Sequence, residues 1–271
     1  GRLSRGGTFP FVGSLDHLGP LARSARDLAV SFDLLQGRDP ADPAQINKPA
    51  LPTSGVLGEG IGGLRIAVAG SYFRRQGERE AFAAVDKVAK ALSVERDVEL
   101  PEAHRARAAA YVITTAESAA LHFHRLESRA QDFDPETRDR FLSGAMVPAA
   151  WYIAAQRFRS WFREEMRAVF RRVDVILAPA TPFSALPSGT KTVKLDGVEL
   201  PARPNIGLYT QPVSFVGLPV VAVPVWLDGA KLPIGVQVIA PPWREDIALR
   251  VAHQLEEMGV VSAPVASLKD V

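Results

Sequence analysis

Residues 207–240 constrain the fold more than any other part of this chain: GLYTQPVSFVGLPVVAVPVWLDGAKLPIGVQVIA. Residues 219–226 and 231–239 are two runs dominated by Val, Ile and Leu. Leu227-Asp228-Gly229-Ala230 separates them, and an Asp-Gly pair between apolar runs is a hairpin signal. Neither run alternates between apolar and polar residues. Nearly continuous apolar strands are those covered on both faces, so the stretch predicts the central hairpin of a layered α/β domain.

The remaining residues supply strand and helix patterns for such layers. Ser24 is placed to cap a helix over residues 25–35, with Leu28, Phe32 and Leu35 on its inward face. Residues 37–63, rich in Pro, Gly, Asp and Ala, read as a long connection. Within it Gly58-Glu59-Gly60-Ile61-Gly62-Gly63 matches G-x-G-x-x-G but precedes the strand at 64–69, and a dinucleotide fingerprint must follow its strand. A helix over 79–92 with Phe82, Val85, Val88, Ala89 and Leu92 inward, then a strand within 94–100, extend a βα pattern. Residues 103–128 predict a long helix with an apolar stripe of Val112, Ala116, Ala119 and Phe123. Asp134-Pro135-Glu136 opens another helix that stops at Gly144. In the helix over 148–172, Phe158, Trp161, Phe162, Val169 and Phe170 oppose Arg157, Arg159, Arg163, Arg167 and Arg171. Glu164 and Glu165 interrupt these arginines and the net charge is only +2, so the reading is a solvated face, with neither nucleic acid nor membrane as partner. A strand at 174–178, a small hairpin around Asp196-Gly197 and a closing helix over 245–258, with Ile247, Val251 and Leu255 inward, complete the pattern.

Chemistry is sparse in these residues. There is no cysteine, hence no disulfide, thiol nucleophile or thiolate metal site, which fits a reducing cytoplasm. No apolar run reaches the length of a membrane span, and the first residues lack signal-peptide layout. His122 and His124, two apart on a helix, face different ways and read as a partly exposed pair without a metal. No G-x-S-x-G, H-E-x-x-H or phosphate-binding G-x-x-x-x-G-K-[ST] occurs. Ser14, Asp16 and His17 are close in sequence, whereas triads are assembled from distant segments. From the residues alone no catalytic set can be assigned, and no cofactor is called for.

Several markers, in order, nevertheless resemble one family. They are Ser14-Leu15-Asp16-His17-Leu18-Gly19-Pro20, Leu64-Arg65-Ile66-Ala67-Val68, Asp174-Val175-Ile176-Leu177-Ala178-Pro179, Gly217-Leu218-Pro219 with Val223-Pro224, and Leu232-Pro233-Ile234-Gly235-Val236-Gln237. The chain is similar to the amidase signature family over nearly its whole length. The resemblance implies a mixed β-sheet flanked by helices on both faces, with the N-terminal half of that fold missing. Residues 1–271 are then the C-terminal portion of a single amidase domain, and the opening at Gly1 without an initiator Met fits that reading. Members cleave C–N bonds with a serine, a bridging cis-serine and a lysine that all lie upstream of the matching stretch, so this chain alone is expected to be inactive.

Ala155-Gln156-Arg157-Phe158-Arg159 and Arg203-Pro204-Asn205-Ile206-Gly207 further resemble the branch that includes carboxybiuret hydrolase and the amidase component of the tRNA amidotransferase. That implies a small, anionic amide or urea-like substrate, a homodimer and a small helical accessory subunit. The alternatives are a non-catalytic interaction subunit and a tRNA-dependent amidotransferase subunit. By the same resemblance Tyr111 and Arg140 hold the polar end of a substrate, a guanidinium being able to clamp a carboxylate bidentately. The alternative for Arg140 is an ordinary surface arginine. Asp16 belongs to an element near the catalytic serine, and His17 stands where many members carry another polar residue. Thr210, Gln211 and Ser214 either line the pocket or satisfy buried backbone groups. Gly207 takes the place of an acid found in amidotransferase members.

Overall fold

In a computed structural model the chain is described over residues 1–265. Its strands are β1 (Ile66–Ala69), β2 (Asp97–Val98), β3 (Val175–Pro179), β4 (Thr192–Leu195), β5 (Val198–Pro201), β6 (Val220–Val225) and β7 (Ile234–Ile239). Its helices are α1 (Ala25–Leu35), α2 (Arg79–Ala91), α3 (Ala103–Arg129), α4 (Pro135–Gly144), α5 (Ala149–Phe170), the short α6 (Ala202–Asn205) and α7 (Gln211–Ser214), and α8 (Glu245–Glu257). Five strands form one sheet in the order β2-β1-β3-β7-β6, and β4 pairs with β5 apart from it. β2, β1 and β3 are parallel, while β7 is antiparallel to both β3 and β6. The sheet is therefore mixed.

Successive side chains of a strand point to opposite faces, and here they divide between two core layers. Ala67, Ala69, Ile176 and Ala178 join the layer with α3 and α5. Val68, Val175, Leu177, Val236 and Val238 join the layer with α2 and α8. Each fully buried Val, Leu or Ile contributes about 1.5–3 kcal/mol, so β3, buried along its whole length, is the centre of both layers. Gly235 in β7 is needed for this packing, because a Cβ there would come 2.9 Å from the Ala180 methyl.

Local chemistry sets the helix ends. The Ser24 hydroxyl accepts the Asp27 N–H at 3.0 Å, and one Asp134 carboxylate oxygen accepts the Glu136 and Thr137 N–H groups at 3.0 and 3.2 Å. Asp33 near the end of α1 accepts from the backbone and hydroxyl groups of Thr53 and Ser54, anchoring the connection between α1 and β1. Asp196 and Gly197, both at positive φ, form the two-residue turn between β4 and β5.

Several expectations need correction. β7 is buried except at half-buried Gly235, but β6 is the sheet edge, with Val220 and Ala222 exposed, so only one strand of the central hairpin is covered on both faces. The strand expected within 94–100 shrinks to two residues. α1 buries Ala25 and Ala29 and leaves Leu35 exposed. α3 turns the expected stripe only partly inward, with Ala119 buried and Val112 half-buried against the core. It buries Ala106, Ala110, Ile113, Ser118 and His122, while Phe123 is exposed. Its buried hydroxyls are satisfied by the preceding turn, with Thr114 donating to the Ala110 carbonyl and Ser118 to that of Thr114. On α5, Phe162 and Val169 are buried but Trp161 is exposed. Among the described residues no helix is long and apolar enough to cross a membrane.

Candidate functional site

A cavity of about 240 Å³ opens over the sheet face that carries α3 and α5. Four elements build it. The turn after Phe11 contributes Val12, Leu15 and Asp16, α3 contributes Ala110 and Thr114, α4 contributes Arg140, and α7 with the residue after it contributes Gln211, Ser214 and Phe215. A larger cleft of about 540 Å³ is lined by Arg65, Ser93 and Arg96, but its Arg65 is already paired with Asp174 at 2.8 Å, and among the described residues no buried polar side chain there lacks a partner.

Arg140 is the distinctive group of the smaller cavity. Its guanidinium lies over the Tyr111 ring at 4.4 Å, and its Nε is buried with no hydrogen-bond partner among the described residues. Burial pushes its pKa below the ordinary arginine value, and Tyr111 acts the other way. Arg140 as a whole is half-buried, and a shielded N–H without an acceptor is costly unless a ligand completes it. The α4 helix that holds it is fixed against α3 at Gly144, where a Cβ would stand 1.9 Å from the Thr115 carbonyl oxygen.

Opposite walls are held by the backbone around residues 11–16. The Asp16 Oδ2 accepts the Phe11 and Val12 N–H groups at 2.8 and 2.9 Å, which organises this turn. Ser14 is tied to Glu117 and Arg159. Its N–H and hydroxyl donate to the two Glu117 carboxylate oxygens at 2.9 and 2.7 Å, and its carbonyl accepts from Arg159 at 2.9 Å. His17 Nδ1 donates to the Leu15 carbonyl at 2.6 Å. Ser14, Asp16 and His17 therefore each serve a separate backbone or carboxylate partner and form no triad.

Of the residues singled out in the sequence, Asp16, Arg140, Gln211 and Ser214 meet at the cavity, and Tyr111 reaches it through Arg140. Thr210 and His17 are not in its lining. The Thr210 carbonyl instead accepts from the Val213 and Ser214 N–H groups, starting the turn that carries Ser214. His122 is not a partly exposed residue. It is buried, stacked between Phe9 and Phe141 with ring centroids 5.3 Å away on each side, and its Nε2–H donates to the Pro10 carbonyl at 2.9 Å. Arg159 is not on a solvated face either, since it donates to the Phe215 and Ser14 carbonyls. Neither role has a local sequence signal, because the partners lie far along the chain. Among the described residues no three His, Cys, Asp or Glu side chains converge as a metal site.

The amidase family model matches residues 1–249. The chain belongs to the amidase family. It is 49% identical over 261 residues to AtzE, a 1-carboxybiuret hydrolase component of Pseudomonas sp. (strain ADP), covering 96% of this chain and 57% of that protein. It is 34% identical over 287 residues to a glutamyl-tRNA(Gln) amidotransferase subunit of Pseudomonas savastanoi pv. phaseolicola, covering 95% and 58%. A solved structure of a vestigial protein complex, described as revealing the origins of an s-triazine catabolic enzyme, superposes with a TM-score of 0.95 at 48% identity, over 98% of this chain and 58% of that one. The corresponding glutamyl-tRNA(Gln) amidotransferase subunit of Thermotoga maritima superposes with a TM-score of 0.77 at 27% identity, over 95% and 56%. This amidase-family chain thus spans somewhat more than half the length of the relatives it matches. Their shared fold agrees with the mixed, helix-covered sheet.

Proposed function

We propose that this chain forms the substrate-binding part of an amidase that hydrolyses a C–N bond in a small, anionic amide or urea-like substrate of the carboxybiuret type. The observation that carries the reading is the shielded, unpartnered Nε of half-buried Arg140 at the cavity, with the guanidinium over the Tyr111 ring. A guanidinium so placed accepts a carboxylate through two parallel N–H···O bonds. Gln211 and Ser214 offer an amide and a hydroxyl to the uncharged end of the same molecule. Asp16 shapes the wall between them, while Thr210 and His17 act through the backbone turns they hold. At about 240 Å³ the cavity suits a substrate of few heavy atoms.

In this reading residues 1–271 are one portion of a single amidase domain. Hydrolysis requires a nucleophile within reach of a base, and the serine, cis-serine and lysine are supplied by polypeptide outside these residues. The partners are a small amide substrate, a second copy of the protein and a small helical accessory subunit. The carboxybiuret reading is favoured over an amidotransferase by the higher identity to AtzE and by Gly207, which has no acid to offer an amino-acid substrate.

Calorimetric titration with oxamate and with its neutral counterpart oxamide tests the site. The expected result is oxamate binding at least ~10-fold tighter than oxamide, a difference of about 1.4 kcal/mol. Equal affinity, or no oxamate binding, overturns the reading.

A further inference from the structure

Two charged residues outside the cavity lining reach its walls from α3 and α5. Glu117 on α3 takes the Ser14 N–H at 2.9 Å and the Ser14 hydroxyl at 2.7 Å, and the same carboxylate accepts the Tyr152 hydroxyl at 2.9 Å. Gln156 donates to the Tyr152 hydroxyl at 2.9 Å, so α5 is bound to the same carboxylate. Arg159 on α5 spends its guanidinium on two segments at once. Its Nε donates to the Phe215 carbonyl at 2.8 Å, and its two terminal nitrogens reach the Ser14 hydroxyl at 3.2 Å and the Ser14 carbonyl at 2.9 Å. Ser14 immediately precedes the lining residues Leu15 and Asp16, and Phe215 is itself a lining residue adjoining Ser214. Both groups are partly buried, and burial lowers the Arg159 pKa.

We propose that Glu117 and Arg159 are positioning residues of the anion pocket: through Ser14 and Phe215 they set the distance between the Leu15–Asp16 and Ser214–Phe215 walls and the Arg140 clamp on α4. The inference rests on the proposed anion site and deepens it. Its chemical basis is that neither wall belongs to a long element. The 11–16 turn is irregular and α7 spans only Gln211–Ser214, so their places depend on these side chains more than on ladder hydrogen bonds. A carboxylate that accepts two hydrogen bonds from one residue, and a guanidinium that donates to two chain segments, fix orientation as well as distance. The conservative replacements remove that property. Glu117→Gln presents an amide N–H₂ in place of one acceptor, opposite a Ser14 donor. Arg159→Lys keeps the charge but cannot span Phe215 and Ser14 together.

The test uses the whole chain with two probes of different length, oxamate and succinamate. A loosened wall lies too far from Arg140 for the short probe to touch both, whereas the longer one still bridges the gap. In Glu117→Gln and Arg159→Lys the oxamate affinity should fall at least ~10-fold while that for succinamate changes less than ~3-fold, so their ratio moves. Ser14→Ala, which keeps the backbone bonds to Glu117 and Arg159, should show a smaller shift in the same direction. A merely destabilised fold would weaken both probes alike, and an unchanged ratio in both charged variants overturns the inference. Arg140→Ala separates the two claims. If it leaves oxamate binding intact, the anion site itself is wrong. If it abolishes binding while the Glu117 and Arg159 variants keep the original ratio, only the positioning role is wrong.

Discussion

The α3–α4 contact at Gly144 offers a sharp test of how the site is held. Replacing Gly144 by alanine places a Cβ 1.9 Å from the Thr115 carbonyl oxygen, 2.5 Å from its carbonyl carbon and 3.0 Å from the Ala119 methyl. Two of these three atoms are backbone of the long helix, so no side-chain rotation relieves the overlap. The end of α4 must withdraw by roughly 1.3 Å or more to restore ordinary van der Waals spacing. Overpacking of this kind costs about 1–3 kcal/mol, and the rigid neighbour puts this case at the upper end. With a melting-temperature change of about 2–4 °C per kcal/mol for a chain near this size, the expected fall is about 6–12 °C. Scanning calorimetry reads it directly. Gly58→Ala is the control, since its Cβ would meet nothing within 4 Å, and it should stay within about 0.5 kcal/mol of the parent. The same withdrawal moves Phe141 off the His122 ring and Arg140 off Tyr111, because both ride on α4. Oxamate binding should therefore weaken in the surviving folded protein. A Gly144→Ala variant that melts with the parent would refute the close packing and the mechanical link to the clamp.

Other consequences follow from single residues. Burial raises the Asp33 carboxyl pKa, but hydrogen bonds from Ser54 and Thr53 outweigh it and hold the pKa below the ordinary value. The stabilisation is therefore present in full above about pH 4 and lost as pH falls through the lowered folded-state value. Asp33→Asn should cost about 1–3 kcal/mol in urea unfolding at pH 7 and flatten the acid limb of the stability curve. His122→Ala removes two aromatic stacks and orphans the Pro10 carbonyl, so it should cost about 2–4 kcal/mol and speed proteolysis within residues 5–16. Purified 271-residue chain incubated with oxamate should release no ammonia above background, and turnover in a preparation free of longer species would refute an external nucleophile.

Where the sequence carried strong local chemistry it was readable. The Ser24 and Asp134 caps and the Asp196-Gly197 turn rest on interactions within a few positions, and the inward residues of α8 on a regular helical period of apolar residues. The buried face of α3 was only partly readable. Ala, Thr and Ser make up much of that face, with hydroxyls satisfied one turn back, and Phe123 sits outside it, so hydrophobicity found Ala119 and half-buried Val112 but missed most of the face. Edge position misled for β6, because composition alone does not say which strand of a hairpin lacks an outer neighbour. At the site, the family resemblance pointed to Arg140 and Tyr111, but nothing local marked Arg159 as a residue that holds the cavity walls. Its partners lie 145 and 56 positions away and are mostly carbonyls, which any residue can provide.

The central claim is that Arg140 clamps a carboxylate, and titrating the Arg140→Lys variant with oxamate tests it most directly. Lysine keeps the charge but loses the stack on Tyr111, worth about 0.5–2 kcal/mol. It also loses one of two charge-assisted hydrogen bonds, worth about 1.5–3 kcal/mol. The account predicts a Kd at least ~30-fold higher than the parent's, with little change in melting temperature. A lysine variant that binds oxamate as tightly as the parent would contradict it.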